Sequence, residues 1–162
     1  EVEHLEEAGI RVSVGNGVTA GLAAVTSLNG PLTHREHAHG VVFVTGHAKP
    51  GDSGTDWPAL ATAARQAKLT LVIYMGVSGA ADIQAGLLQG LAASTPVAVI
   101  QNASLAHQRH AVCTLGELQD TIVREHLASP SVIVVGDVMS GLLAAAQADT
   151  TTGASAGVQR AH

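Results

Sequence analysis

The run PLTHREHAHGVVFVTGH, from Pro31 to His47, carries four of the nine histidines in this 162-residue chain. Its spacing, His34-x2-His37-x-His39 with His47 beyond, raises metal chemistry first. A catalytic zinc needs three protein ligands converging at about 2.0–2.2 Å. These histidines sit beside Arg35 and just ahead of an apolar run, without a cysteine, an Asp-x-His pair or an HExxH helix to complete a set. A histidine-rich solvated loop is the better reading, and no metal is expected.

Nucleophilic catalysis finds little more. No GxSxG elbow occurs, and the single cysteine, Cys113, lies in an apolar run with no cation predicted beside it. That describes a buried, inert thiol. Gly15-Asn16-Gly17 opens a helical stretch and would leave an anion-friendly N-terminus, but it is neither GxGxxG nor a Walker loop. Taken alone it is a plain turn. More is carried by the loops that leave apolar runs: Gly46-His47 after VVFVT, Met75-Gly76 after LVIY, Asn102-Ala103-Ser104 after VAVIQ and Gly136-Asp137 after VIVV. In open sheets, ligands bind outside the carboxyl ends of the strands. Met75, next to a glycine at such an edge, reads equally as ligand wall or as core.

These loops need a scaffold, and the composition says what kind. Apolar residues make up 46% of the chain but aromatics only 2%, so Ala, Val, Leu and Ile must build the core while eighteen glycines serve the turns. That is the balance of a folded α/β protein and not of a disordered one. The net charge of −5 and the lack of any Lys/Arg run argue against a nucleic-acid surface. No apolar stretch is long enough to span a membrane, and no basic-then-apolar leader opens the chain. A lone thiol suits a reducing cytoplasm. The chain opens on Glu1 already in helical pattern, as a cut through something longer would.

Periodicity supplies the elements. Val2, Leu5 and Ile10 mark a short amphipathic helix ended by Gly9, and Arg11–Val14 alternates like a strand. A small-residue helix is expected over Thr19–Leu28, broken by Asn29-Gly30-Pro31. Val41–Thr45 reads as a strand buried on both faces, and Gly46–Thr55 as a loop. Asp56 should cap a helix with Trp57 and Pro58 in its first turn, running to about Ala67. Strands follow over Leu69–Tyr74, Pro96–Gln101, Gln108–Thr114 and Ser131–Gly136, with helices over Ala80–Ala92 and Leu115–Leu127. Beyond Gly141 no period remains, and the chain reads as a low-complexity tail over 142–162. Alternating strands and helices predict an α/β fold, a mixed open sheet with helices on both faces. The short loop between 101 and 108 makes its two strands antiparallel. The residues' chemistry alone thus reaches an α/β domain with a small-molecule cleft.

The segments GVTAGLAAVTS, PLTHR, FVTGH, DWPALA, TLVIYMG, PVAVIQNAS, QRHAVCTLGEL and SPSVIVVGDV say more in combination. In order and spacing, from Glu1 to about Val138, they resemble the C-terminal portion of the uroporphyrinogen-III C-methyltransferases, within the tetrapyrrole methylase family. The resemblance implies that residues 1–30 end an N-terminal α/β domain, 31–40 link two domains and 41–141 form the C-terminal domain. In that pattern PLTHR and VTGH join and enter the second domain. His34 and His47 belong to it, whereas His37 and His39 look like local additions, and no metal is implied.

The family transfers methyl groups from S-adenosylmethionine to two ring carbons of uroporphyrinogen III, giving precorrin-2 for sirohaem and cobalamin. By resemblance, Thr19 and Ala20 match a cofactor-contacting pair, Met75 the methionine flanking the cofactor, and Ala103 a small residue whose backbone meets it. His34, Arg35 and Arg109 are candidate partners for substrate carboxylates, with solvated surface the equal alternative. A homodimer in the cytoplasm is implied, with catalytic residues in the N-terminal domain. The chain departs from the family at Asn16-Gly17, where Pro-Gly is usual, and at Asn29-Gly30-Pro31, where Gly-Ile-Pro is usual. Two other readings stay open: another precorrin methylase, which PLTHR with YMG argues against, and a non-catalytic α/β module for dimerisation or ligand sensing.

Overall fold

The computed structural model describes residues 1–47, 51 and 54–155, of which 149–155 as backbone only. Five strands form one sheet: β1 (Gly40–Thr45), β2 (Leu69–Tyr74), β3 (Pro96–Gln101), β4 (Arg109–Thr114) and β5 (Ser131–Val135). Their spatial order is β1-β2-β5-β3-β4. β1 and β2 are parallel, and β5 runs antiparallel to both β2 and β3. β3 and β4 form the expected antiparallel pair, with Gln101 opposite Arg109. The sheet is mixed and open, as the alternation of elements predicts.

The period-two alternation of each strand sorts its side chains onto two faces. On one, Leu71, Ile73, Val97, Val99, Ile133 and Val135 pack against α3 (Trp57–Ala67), α4 (Ala80–Leu87) and α5 (Leu118–Arg124) through Ala61, Ala64, Ile83, Leu87, Leu118 and Ile122. On the other, Val72, Ala98, Ile100, Val132 and Val134 meet α2 (Ala20–Thr26) through Ala24 and Val25, together with Met139 and Leu142. Valine and isoleucine on both faces explain why these runs are continuously apolar. Asp56 caps α3 as predicted, accepting the Ala59 N–H at 3.0 Å.

Four local expectations are corrected. Val41–Thr45 is not buried on both faces: β1 is an edge strand with no fully buried residue, and Phe43 is 44% exposed. Arg11–Val14 is not a strand: no partner strand lies beside it among the described residues, and a strand without a ladder leaves its backbone to water. The low-complexity tail is in part helical: α6 (Ser140–Ser155) takes in Leu142–Ala148, a run of residues of high helix propensity. Residues 156–162 of that tail, and 48–50 and 52–53 of the loop before α3, lie outside the described residues. Finally, because β5 is antiparallel, Gly136-Asp137 leaves the sheet beside Lys68 and Leu69, at the end opposite Met75. It cannot share a ligand edge with the other three loops. No helix among the described residues is long and apolar enough to cross a membrane.

Candidate functional site

The carboxyl ends of the parallel strands β2 and β3 sit on either side of the start of β5, and a cavity of about 400 Å³ opens there. Tyr74 and Met75 line it from the end of β2, Ile100, Asn102, Ala103 and Leu105 from the end of β3, and Ser129–Val132 from the approach to β5. Ala20, the first residue of α2, closes one side. The wall is mostly apolar, with Asn102, Ser129 and Ser131 as its polar residues. Such a volume and lining suit a small organic ligand with a few polar groups.

Backbone conformation aims this wall. Met75 has φ of 53° and Asn102 φ of 54°, so each strand ends in a left-handed residue that turns the chain abruptly out of the sheet. Asn102 N–H then donates to Pro130 O at 3.0 Å, tying the β3 exit to the β5 entry. The turn after Met75 depends on two glycines. Gly46 N–H donates to Tyr74 O at 2.7 Å, and a Cβ on Gly46 would lie 2.6 Å from Gly76 Cα. Met75 itself is 57% exposed, which places it in the cavity wall and not in the core.

Of the residues matched to the cofactor, Ala20, Met75 and Ala103 line this one cavity, although they lie far apart in sequence. Thr19 adjoins it, its hydroxyl hydrogen-bonded to Tyr74 Oη at 2.5 Å. The remaining candidates lie elsewhere. The His34–Ala38 turn is closed by two backbone hydrogen bonds, and His39 N–H donates to Lys68 O at 2.8 Å, just before β2 begins. This puts His34 and Arg35 at the amino end of β2, about 17 Å along the strand from Tyr74 at 3.3 Å per residue. Arg109 starts β4 on the cavity side of the sheet, but its guanidinium donates to Glu125 O at 2.7 Å and His126 O at 3.5 Å. It caps the C-terminal end of α5, where a cation is favoured.

The histidine loop does gather donors. His34, Glu36 and His37 bring one ligand atom each within 4.8 Å of one another, and the two imidazoles stack at 4.7 Å. All three are exposed, and His34 Nδ1 already accepts the Glu36 N–H at 3.2 Å. Cys113 is buried, and burial pushes its thiol pKa up, the reverse of what a nucleophile needs. The Asn102-Ala103-Ser104 loop lines the cavity through Asn102 and Ala103, as its place after VAVIQ suggested, whereas sequence reasoning missed Tyr74 and the Ser129–Val132 segment as lining. Both lie inside quoted motifs, TLVIYMG and SPSVIVVGDV, but the second enters the site only because β5 inserts between β2 and β3.

The fold is an open α/β sheet with a cavity at the carboxyl edge of β2 and β3, and comparison with known proteins places it in a family. The chain belongs to the tetrapyrrole (corrin/porphyrin) methylases, whose family model matches residues 1–119. It is 46% identical over 139 residues to the uroporphyrinogen-III C-methyltransferase of Pseudomonas aeruginosa, covering 85% of this chain and 55% of that relative. A siroheme synthase of Edwardsiella ictaluri is 45% identical over 141 residues, covering 86% of this chain and 29% of its own. The crystal structure of uroporphyrin-III C-methyltransferase from Thermus thermophilus superposes with a TM-score of 0.68 at 31% identity, over 85% of this chain and 56% of that one. The same enzyme complexed with S-adenyl homocysteine gives the same score of 0.68. The chain therefore spans about half the length of the methyltransferases and under a third of the siroheme synthase that it matches.

Proposed function

We propose that this chain supplies one wall of the S-adenosylmethionine cleft in an enzyme that methylates uroporphyrinogen III to precorrin-2. The observation that carries the reading is the convergence of Ala20, Met75 and Ala103 on a single cavity at the carboxyl edge of β2 and β3. Residues 1–30 would then complete an N-terminal α/β domain, 31–40 link it, and 41–141 form the C-terminal domain. The sheet supports that division, since all five strands fall between Gly40 and Val135.

When bound, the cofactor supplies an electrophilic methyl on a sulfonium, which leaves as a neutral thioether when an electron-rich pyrrole carbon attacks. No covalent enzyme intermediate is needed, so positioning and exclusion of water are what the protein must provide. The apolar cavity wall favours a flat, weakly polar ring, with Asn102 and the Ser129–Ser131 segment offering polar contacts at its margin. Met75, exposed and unbranched, presents a polarisable thioether that can follow a ligand's contour. The placement of His34 and Arg35 on the far edge supports solvated surface for both, and the capping role of Arg109 argues against its facing a substrate carboxylate. A homodimer in the cytoplasm completes the reading, the buried lone Cys113 fitting a reducing compartment.

Incubation of the full-length gene product with uroporphyrinogen III and S-adenosylmethionine tests this directly. Mass analysis should find two methyl groups added to the tetrapyrrole. Methylation of a later precorrin alone would move the protein to another branch of the family.

A further inference from the structure

The start of α2 is held by a residue from another element. Thr19 stands at its N-cap position yet makes no side-chain cap bond. Its hydroxyl is instead hydrogen-bonded to Tyr74 Oη at 2.5 Å, and the same Oη accepts the Gly21 N–H at 3.1 Å. These partners lie 55 and 53 residues from the tyrosine. A seven-residue helix has little stability of its own, so tertiary contacts decide where it begins. The approach is close: a Cβ on Gly21 would lie 2.6 Å from both Tyr74 Oη and Val72 Cγ1. Phe43 stacks on the Tyr74 ring at 6.2 Å and 15°, which restrains the ring and fixes where its hydroxyl can reach.

Between Thr19 and Gly21 sits Ala20, which lines the same cavity as Met75. We propose that Tyr74 is a positioning residue for the cofactor wall, its hydroxyl clamping Thr19 and Gly21 so that Ala20 stays on the cavity rim. The inference rests on the cofactor reading above and assigns Tyr74 no role in the chemistry itself. It acts on binding geometry, through Thr19 and Ala20.

The test uses the full-length gene product and its Tyr74→Phe, Thr19→Val and doubly substituted forms. S-adenosylhomocysteine affinity is measured by calorimetry, and urea midpoints are measured on the same preparations. Tyr74→Phe should raise the Kd about tenfold, equivalent to about 1.4 kcal/mol. Thr19→Val should raise it in the same direction, and the double form should be no weaker than Tyr74→Phe alone, since both remove one link. Unchanged affinity in both single variants, with lowered midpoints, would make the link a packing contact only and overturn the proposal. Should Tyr74→Phe not fold, Thr19→Val carries the same test, and an unchanged Kd overturns it. A parent protein that does not bind S-adenosylhomocysteine would instead sink the cofactor reading, and the clamp with it.

Discussion

Gly46 lies directly against Gly76: a Cβ on the first would stand 2.6 Å from the Cα of the second. The exits of two neighbouring strands thus meet backbone to backbone, and the turn that carries Met75 into the cavity is built on that approach. Gly46→Ala should therefore lower stability by about 1–3 kcal/mol, because the obstructing atom is main chain and cannot rotate away. Gly15→Ala, at a position with nothing within 4 Å, should stay within about 0.5 kcal/mol of the parent. Urea denaturation of the two variants measures the difference. Equal midpoints would show that the two exits can separate at little cost.

Met75→Ala should weaken cofactor binding more than it weakens folding. Truncating a buried core methionine costs roughly 2–5 kcal/mol, but Met75 is 57% exposed, and its truncation should cost under about 1 kcal/mol. Denaturant midpoints and an S-adenosylhomocysteine titration on the same variant of the full-length gene product separate the two. A large stability loss with unchanged affinity would return Met75 to the core.

Strands such as LTLVIY and PVAVIQ and the Asp56 cap were legible in the sequence because periodicity and capping are local. Strand direction is not. Nothing in SVIVVG says that it inserts antiparallel between β2 and β3, yet that insertion brings Ser129–Val132 into the cavity and sends Gly136-Asp137 to the opposite end. Arg11–Val14 has a strand's alternation and no partner among the described residues, and alternation alone cannot supply one. The cofactor-matched residues were found through motifs. That Tyr74 ties two of those motifs together needed coordinates.

Glu117 gives the fold a pH dependence in acid. Its carboxylate accepts the Thr114 hydroxyl at 2.7 Å and the Thr114 N–H at 3.1 Å, and these bonds lower its pKa from the usual glutamate value. A depressed folded-state pKa adds stability that is present above the unfolded pKa and lost as pH falls through the folded one. The group is largely exposed, so the effect is modest. Midpoints should fall between neutral pH and about pH 3 in the parent, and fall less in Glu117→Gln, which keeps a capping acceptor without the charge. Identical slopes in the two proteins would show that Glu117 does not govern the acid response.

The histidine loop should prove dispensable. Replacing His37 and His39 together with alanine should leave methylation and metal content unaltered, because the donors around His34 are exposed and lie at the end of β2 away from the cavity. Elemental analysis of the purified protein checks the point. Stoichiometric zinc, removed along with activity by the double substitution, would show that this loop is a metal site.

The central claim is that the chain owns one wall of a cleft and not the whole of it. Titrating S-adenosylhomocysteine into residues 1–162 alone and into the full-length gene product tests it most directly. The isolated chain should bind at least about tenfold more weakly, because the ligand face that the other wall would cover stays in water, and each factor of ten is about 1.4 kcal/mol. Submicromolar binding by the isolated chain would contradict a shared cleft, and failure of both proteins to bind would contradict the cofactor assignment itself.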